Sequence, residues 1–325
     1  MVEGNQKPAN KGDDVVSKGK SEASGNANLD LVSLHRDSLS RDRIDITKNT
    51  QAMSDDRTSV QDAHAVMNVN NQVIRELLDH GQVSAKTLEQ AARLHTKANA
   101  DDKTDARESQ EYSGTNPPDA KAVENGLKQA ANIGDLSSRL SKATTPEERQ
   151  SIISQMGTSA QQIADLGKGD PAVIGKDASD AGKEAAVIQG NLAKLGTLDP
   201  SSPLYKQLIK DIGSKAGLIQ REFGDIKDEQ GYIAHDAADT SKNNAVLDAI
   251  QKMQQHSGRM DWNTAESFIK TFQQDNQSKR EIIGLRRDDL KSEPDYNTAD
   301  RKDARLNAQI LKGLDESPYP KKGEK

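Results

Sequence analysis

The side chains that could do chemistry are numerous, but along the chain they do not gather. Six histidines, His35, His64, His80, His95, His235 and His256, are scattered, and none falls in an HExxH or HxH spacing. A zinc site would need histidine and carboxylate partners drawn from distant segments, so the spacing predicts surface histidines and no metal site. Asp and Glu together number 51, too many for closeness in sequence to nominate an acid/base pair. A calcium loop begun at Asp239 places Ser241 and Asn243 at the third and fifth positions. It then puts Asn244 where glycine is needed and Ile250 where a bidentate glutamate belongs. The glycines of LGKGDPAVIGK, 166–176, follow no expected strand and have the spacing of neither a phosphate loop nor a dinucleotide fingerprint. No GxSxG and no kinase motif set is present. No catalytic residue and no cofactor is expected, and the chain reads as a binding protein more readily than as an enzyme. An enzymatic alternative stays open: carboxylates that converge in a deep cleft only in three dimensions.

Composition sets the frame for these residues. Charged residues make up 30% of the 325 and the hydrophobic set 33%, while 45 basic and 51 acidic side chains leave a net charge of -6. Aromatic residues are 3%, with one Trp, three Phe and five Tyr. Strands draw on aromatic and β-branched residues, so a large sheet is not expected. The same shortage argues against single-stranded nucleic acid, which needs stacking platforms, and the acidic balance argues against duplex binding. There is no cysteine, which excludes disulfides, thiolate metal sites and a cysteine nucleophile. No apolar run approaches the roughly 18 residues of a membrane span. The opening MVEGNQKPANKGDDVVSKGKSEASGNAN lacks a basic segment followed by an apolar stretch. It predicts no cleavable signal peptide, and if the protein is exported, an apparatus that reads an uncleaved N-terminus is implied.

The elements that must position these residues are helical. The expected fold is all-α, antiparallel helical hairpins or an elongated helical bundle behind a disordered N-terminus. Residues 1 to about 28 hold too little apolar surface to offset the cost of ordering, and 1–55 is assigned as disordered or weakly ordered. From 56 to 113 a helical hairpin is expected. Val60, Ala63, Met67, Asn70, Ile74 and Leu77 lie alternately three and four apart, a short heptad seam of the coiled-coil type, and Ser84 caps the return helix. Residues 100–118 contain no Leu, Ile, Val or Phe and mark an internal boundary. A main helical domain follows over 119–292. Within it, Thr145, Pro146 and Glu148 form a helix start, and Ser202-Pro203 opens a helix whose stripe is Leu204, Leu208, Ile212, Ala216, Ile219 and Phe223. A separate helix is expected over 229–256. Asp261 caps the last long helix, with Trp262, Ile269 and Phe272 along one side, and Pro294 closes it. The rest, 293–325, is a short amphipathic helix with Leu306, Ile310 and Leu314, then a frayed tail. No fixed-period repeat is evident.

The segment GRMDWNTAESFIKTFQQDNQSKREI, 258–282, resembles the C-terminal helical region of the hydrophilic translocators and needle-tip proteins of bacterial type III secretion systems. The shared features are a glycine-containing turn, an aromatic helix start at Trp262, a FIKTF stripe and a polar continuation. The resemblance implies a secreted, virulence-associated effector or translocator acting through protein–protein contacts, with the secretion apparatus, a chaperone or a host protein as partner. A non-secreted scaffolding protein is the alternative. Trp262, Ile269 and Phe272 are the candidate partner-binding residues, since Trp is favoured at interface hot spots. The competing use of that seam is to pack on the helix carrying 204–223.

Overall fold

The computed structural model describes the backbone of residues 13–315 and the side chains of 30–314. The expected disordered segment, 1 to about 28, lies outside the residues described with side chains. Among the described residues the protein is all-helical and antiparallel. Its helices are α1 (Asp13–His80), α2 (Ala85–Ser113), α3 (Ala120–Leu140), α4 (Pro146–Leu166), α5 (Pro171–Ile174), α6 (Lys176–Leu195), α7 (Pro203–Gln255) and α8 (Trp262–Asp315). No helix is long and apolar enough to cross a membrane among the described residues.

Helix starts follow the chemistry of their caps. The Thr145 hydroxyl accepts from the Glu148 N–H at 3.2 Å, Ser202 from Tyr205 N–H at 3.2 Å, and Asp261 from Thr264 N–H at 3.0 Å, each satisfying an amide that the first turn leaves without a partner. Gly81 ends the first long helix at φ 67°, a backbone state that favours glycine.

Four rods run the length of the molecule: α1, α7, α8, and α2 continued by α6. At 53 and 54 residues, α7 and α8 are each about 80 Å long at 1.5 Å per residue. The fourth rod is broken at Gly114 and Gly175. A Cβ on Gly175 would lie 2.3 Å from the Tyr112 carbonyl oxygen, and one on Gly114 would lie 2.3 Å from the Gly175 nitrogen. Only two glycines let the end of α2 abut the start of α6 so closely. Between them, 115–174 leaves the rod, packs α3 against α7 and α4, and returns through α5.

Two apolar clusters hold the ends of the bundle. One joins the stripe Leu208, Ile212, Ala216, Ile219 and Phe223 of α7 to α3, α4, α6 and the end of α8. The other joins Val69, Val73 and Leu77 of α1 to Leu88 of α2, Ile250 of α7 and Phe272 of α8. The stripe expected on α7 is therefore core, and burying each of its large side chains contributes about 1.5–3 kcal/mol.

Several boundaries differ from the sequence expectation, and for one reason. Residues 30–55, assigned as weakly ordered, are helical, with Leu31, His35, Ser38 and Asp42 buried. Residues 100–113, assigned to a boundary, continue α2 with Asp102, Ser109 and Ser113 buried. Residues 203–255 form a single helix, and α8 runs through Pro294 to Asp315. Around 35–42, 102–113, 236–243 and 293–303 the buried positions are polar, so an apolar period cannot carry the helix through them. The internal proline lacks an amide for its i−4 carbonyl, but Asn297, Asp300, Asp303 and Asn307 beyond it are buried against the bundle and hold the helix on course. The heptad seam is half as expected: Ala63, Asn70 and Leu77 are buried, but Val66 and Val73 alternate with them in place of Val60, Met67 and Ile74.

Candidate functional site

Between the two apolar clusters the interior is polar, and it is built twice. His35 Nδ1 lies 2.7 Å from Asn307 Oδ1 and its Nε2 lies 2.9 Å from Asn191 Oδ1. His95 Nδ1 lies 2.8 Å from Asn243 Oδ1 and its Nε2 lies 2.9 Å from Asn70 Oδ1. The asparagine amides point away to carboxylates: Asn307 donates to Asp42 and Asp303, Asn243 to Asp102 and Asp239, Asn191 to Asp211, and Asn70 to Asp275. Each imidazole thus faces two acceptor oxygens, and both bonds form only when both ring nitrogens carry protons. For His95 burial opposes that charge and lowers the pKa, while Asp275 at 3.8 Å favours it. Beside each histidine is a buried lysine: Lys215 bonds Asp303 and Lys279 bonds Asp239.

The matching residues have constant offsets. Asp211, Lys215, Asp225, Glu229, Tyr232, Asp236, Asp239 and Asn243 of α7 recur 64 residues later in α8 as Asp275, Lys279, Asp289, Glu293, Tyr296, Asp300, Asp303 and Asn307. His35, Asp42 and Asp45 recur 60 residues later as His95, Asp102 and Asp105, and Asp56 and Asn70 recur 121 residues later as Asp177 and Asn191. A pseudo-two-fold axis therefore exchanges α7 with α8, and α1 with the α2–α6 rod. The chain therefore does carry an internal repeat, contrary to the sequence expectation of none. The signal lay in polar identities at a 64-residue offset rather than in apolar spacing.

The axis passes through a cavity of about 240 Å³ midway along the bundle. Its walls carry twelve carboxylates against four basic side chains, Lys48, Lys176, Arg221 and Arg286. The arginines are held in matched fashion. Arg286 pairs with Asp105 at 2.6 Å and Asp56 at 3.3 Å and lies over the Tyr232 ring, while Arg221 pairs with Asp300 at 2.6 Å and Glu222 at 3.2 Å and lies over Tyr296. Tyr232 donates to Asp289 and Tyr296 to Asp225. Two buried carboxylates on the wall, Asp177 at 4% exposure and Glu293 at 8%, each keep one oxygen without a hydrogen-bond partner.

Burial and neighbouring carboxylates push many of these acids up. Glu222 rises to about 8, chiefly by burial and against the pull of Arg221, and Asp56, Asp225 and Glu293 rise to about 7. Asp177 rises well above its ordinary value through burial and the charges of Glu222, Asp225 and Glu229. Near neutral pH such groups can exchange protons or exchange a proton for a cation. The carboxylates are spread along the walls, and among the described residues no three acidic or histidine side chains stand close enough to hold one metal ion.

Of the residues singled out from the sequence, Ile269 and Phe272 are buried in the second apolar cluster, against α1, α2 and the far half of α7 rather than against 204–223. Trp262 is 60% exposed. Its single-emitter fluorescence is therefore expected to be red-shifted and open to acrylamide in the folded protein; a blue-shifted, protected emission would contradict the placement. Carboxylates do line the cavity, on residues that sequence spacing did not single out, and they are spread along its walls. No protein-family model matches the chain, and no curated protein or solved structure matches it either.

Proposed function

We propose that the protein binds a small organic cation in the central cavity. The observation that carries this is the wall: twelve carboxylates to four basic side chains, two of the carboxylates buried with an oxygen left unpartnered. A buried acceptor without a partner costs about 1–3 kcal/mol, and an ammonium or guanidinium donor relieves it. Charges distributed along the walls suit an extended cation better than a bare metal ion. At roughly 30 Å³ per water, the volume equals about eight waters, enough for a short aliphatic amine. The test is a thermal melt at pH 8 and constant ionic strength. Millimolar 1,4-diaminobutane is expected to raise the midpoint by several degrees, while matched sodium chloride leaves it in place. No shift with any amine or guanidinium compound contradicts the reading.

A second reading rests on the exposed Trp262. It stands near the α1–α2 turn, where Met260 N–H donates to the Gly81 carbonyl at 2.8 Å and Leu78 is 53% exposed. An exposed tryptophan at one end of a long bundle suits docking of a protein through this end; the secreted, type III-like effector or translocator setting rests on the resemblance of 258–282. Export of a reporter carrying the first few tens of residues supports that setting, and failure of export removes it.

A further inference from the structure

The pseudo-two-fold axis relates two ends of the cavity lining, which we call its mouths, and they differ in charge. At one, Lys48 and Lys176 lie over the Tyr112 ring at 5.1 and 5.3 Å, and Lys176 is bonded to Asp45 and Asp180 at 3.1 Å each. The residue matching Lys48 at the other mouth is Glu108, 60 residues on, and that matching Lys176 is Asp55, 121 residues back. Asp105 there matches Asp45. One mouth thus carries two ammonium groups, Lys48 paired with Glu111 at 3.8 Å and Lys176 with Asp45 and Asp180; the other carries three carboxylates, of which, among the described residues, Asp105 is ion-paired, with Arg286 at 2.6 Å.

From that acidic mouth a line of carboxylates leads inward. Glu108 stands in the field of Asp105, Asp55, Glu111 and Arg286, Asp56 in that of Arg286, Asp289, Asp105 and Asp55, and Glu293 in that of Asp56, Asp289, Arg286 and Arg57; Arg286, paired with Asp56 and Asp105, is the cation built into this line. The line ends on the buried, unpartnered oxygen of Glu293. Asp55 and Glu108 at its outer end are exposed.

Resting on the cation-binding reading, we infer that the ligand is an aliphatic diamine, one ammonium held at the Asp55–Asp105–Glu108 mouth and the other near Glu293. The outer ammonium takes the place that Lys48 and Lys176 fill at the opposite mouth. At the opposite mouth the chain places two alkylammonium groups in the matching positions, held by Glu111, Asp45, Asp180 and the Tyr112 ring; of these partners Asp45 has an acidic counterpart here, Asp105.

The experiment is calorimetric titration of the full chain with 1,4-diaminobutane and with n-butylamine, on wild type and on Asp55→Lys/Glu108→Lys, which copies the lysines of the opposite mouth. Wild type is expected to bind the diamine at least tenfold more tightly than n-butylamine, and the double variant to lose at least tenfold in diamine affinity. Both substituted residues are exposed, so circular dichroism is expected to be unchanged. The milder Asp55→Asn/Glu108→Gln, with a several-fold loss expected, stands in should the lysines disturb folding. Diamine binding undiminished in the variants overturns the placement at this mouth but leaves the cation reading standing. Equal affinity for the two amines overturns the two-ended ligand. A wild type that binds neither amine removes the cation reading itself.

Discussion

Lys215→Met is expected to cost about 3–5 kcal/mol of stability, the range for breaking a buried ion pair from one side. The Lys215 ammonium is fully buried, bonded to Asp303 and 2.9 Å from Glu184. Burial alone would push it toward neutrality; the carboxylates of Glu184, Asp303, Asp211 and Asp42 outweigh that and hold it protonated. The same ammonium, with Arg41 at 2.7 Å, holds Glu184 down at about 2 against its burial. Methionine fills the space but leaves buried Asp303 without its cation and buried Glu184 with Arg41 alone. Lys279→Met removes the matching group beside Asp239 and is expected to cost about as much. Lys270, 65% exposed and paired only with Glu266, is the control, with a change within about 0.5 kcal/mol. Urea denaturation of the three variants checks this; Lys215→Met no worse than Lys270→Met contradicts the buried network.

The fold is expected to become more stable as pH falls from 8 to 5.5. Asp177, Asp236 and Glu293 are buried and each has an oxygen without a partner. Burial is the first cause that raises each of them, Asp236 and Glu293 to about 7. A carboxyl whose folded pKa lies above its unfolded value contributes stability that is fully present below about 4. That contribution is lost as pH rises through about 7, because the folded state then holds more protons than the unfolded one. Between pH 8 and 5.5 one such group is worth about 2 kcal/mol at 1.4 kcal/mol per unit. Discounted for screening by solvent and by neighbouring charges, the three together are expected to give on the order of 3 kcal/mol. Glu184 has the opposite sign, but its stability is lost only as pH falls from its ordinary range toward 2, outside this window; His95, lowered by burial, also opposes the trend as pH falls through the ordinary imidazole range, one group against three carboxyls. Thermal or urea midpoints across the range provide the check, and a midpoint that falls between pH 8 and 5.5 contradicts the buried carboxyls.

The parts of this fold written in apolar residues were legible. The Leu208–Phe223 stripe, the caps at Thr145, Ser202 and Asp261, and the hairpin turn at Gly81 all follow from local side-chain chemistry. The parts written in polar residues were not. In 30–53, 90–113 and 293–307 the inward positions include His35, Asp42, His95, Asp102, Asp300 and Asn307, and helical periodicity counts each of these as solvent-facing. Their burial is possible only because each has a partner from another rod, information that no single window contains. The cavity was hidden for the same reason: its acids are common in the chain, and only the crossing of α1, α2, α6, α7 and α8 selects them. The 64-residue match of Asp211, Lys215, Tyr232, Asp239 and Asn243 with α8 was present in the sequence and pointed to the duplicated interior.

The carboxylate cavity is expected to exchange protons for an organic cation. Calorimetric titration of the full chain with 1,4-diaminobutane at pH 7, in two buffers of different ionisation enthalpy, measures both binding and proton release. Acids raised to about 7 and 8, among them Asp56, Asp225, Glu222 and Glu293, hold protons that a cation displaces. Saturable binding with about one proton or more released per ligand is the expected result. Absence of binding, or binding with no proton exchanged, contradicts the claim.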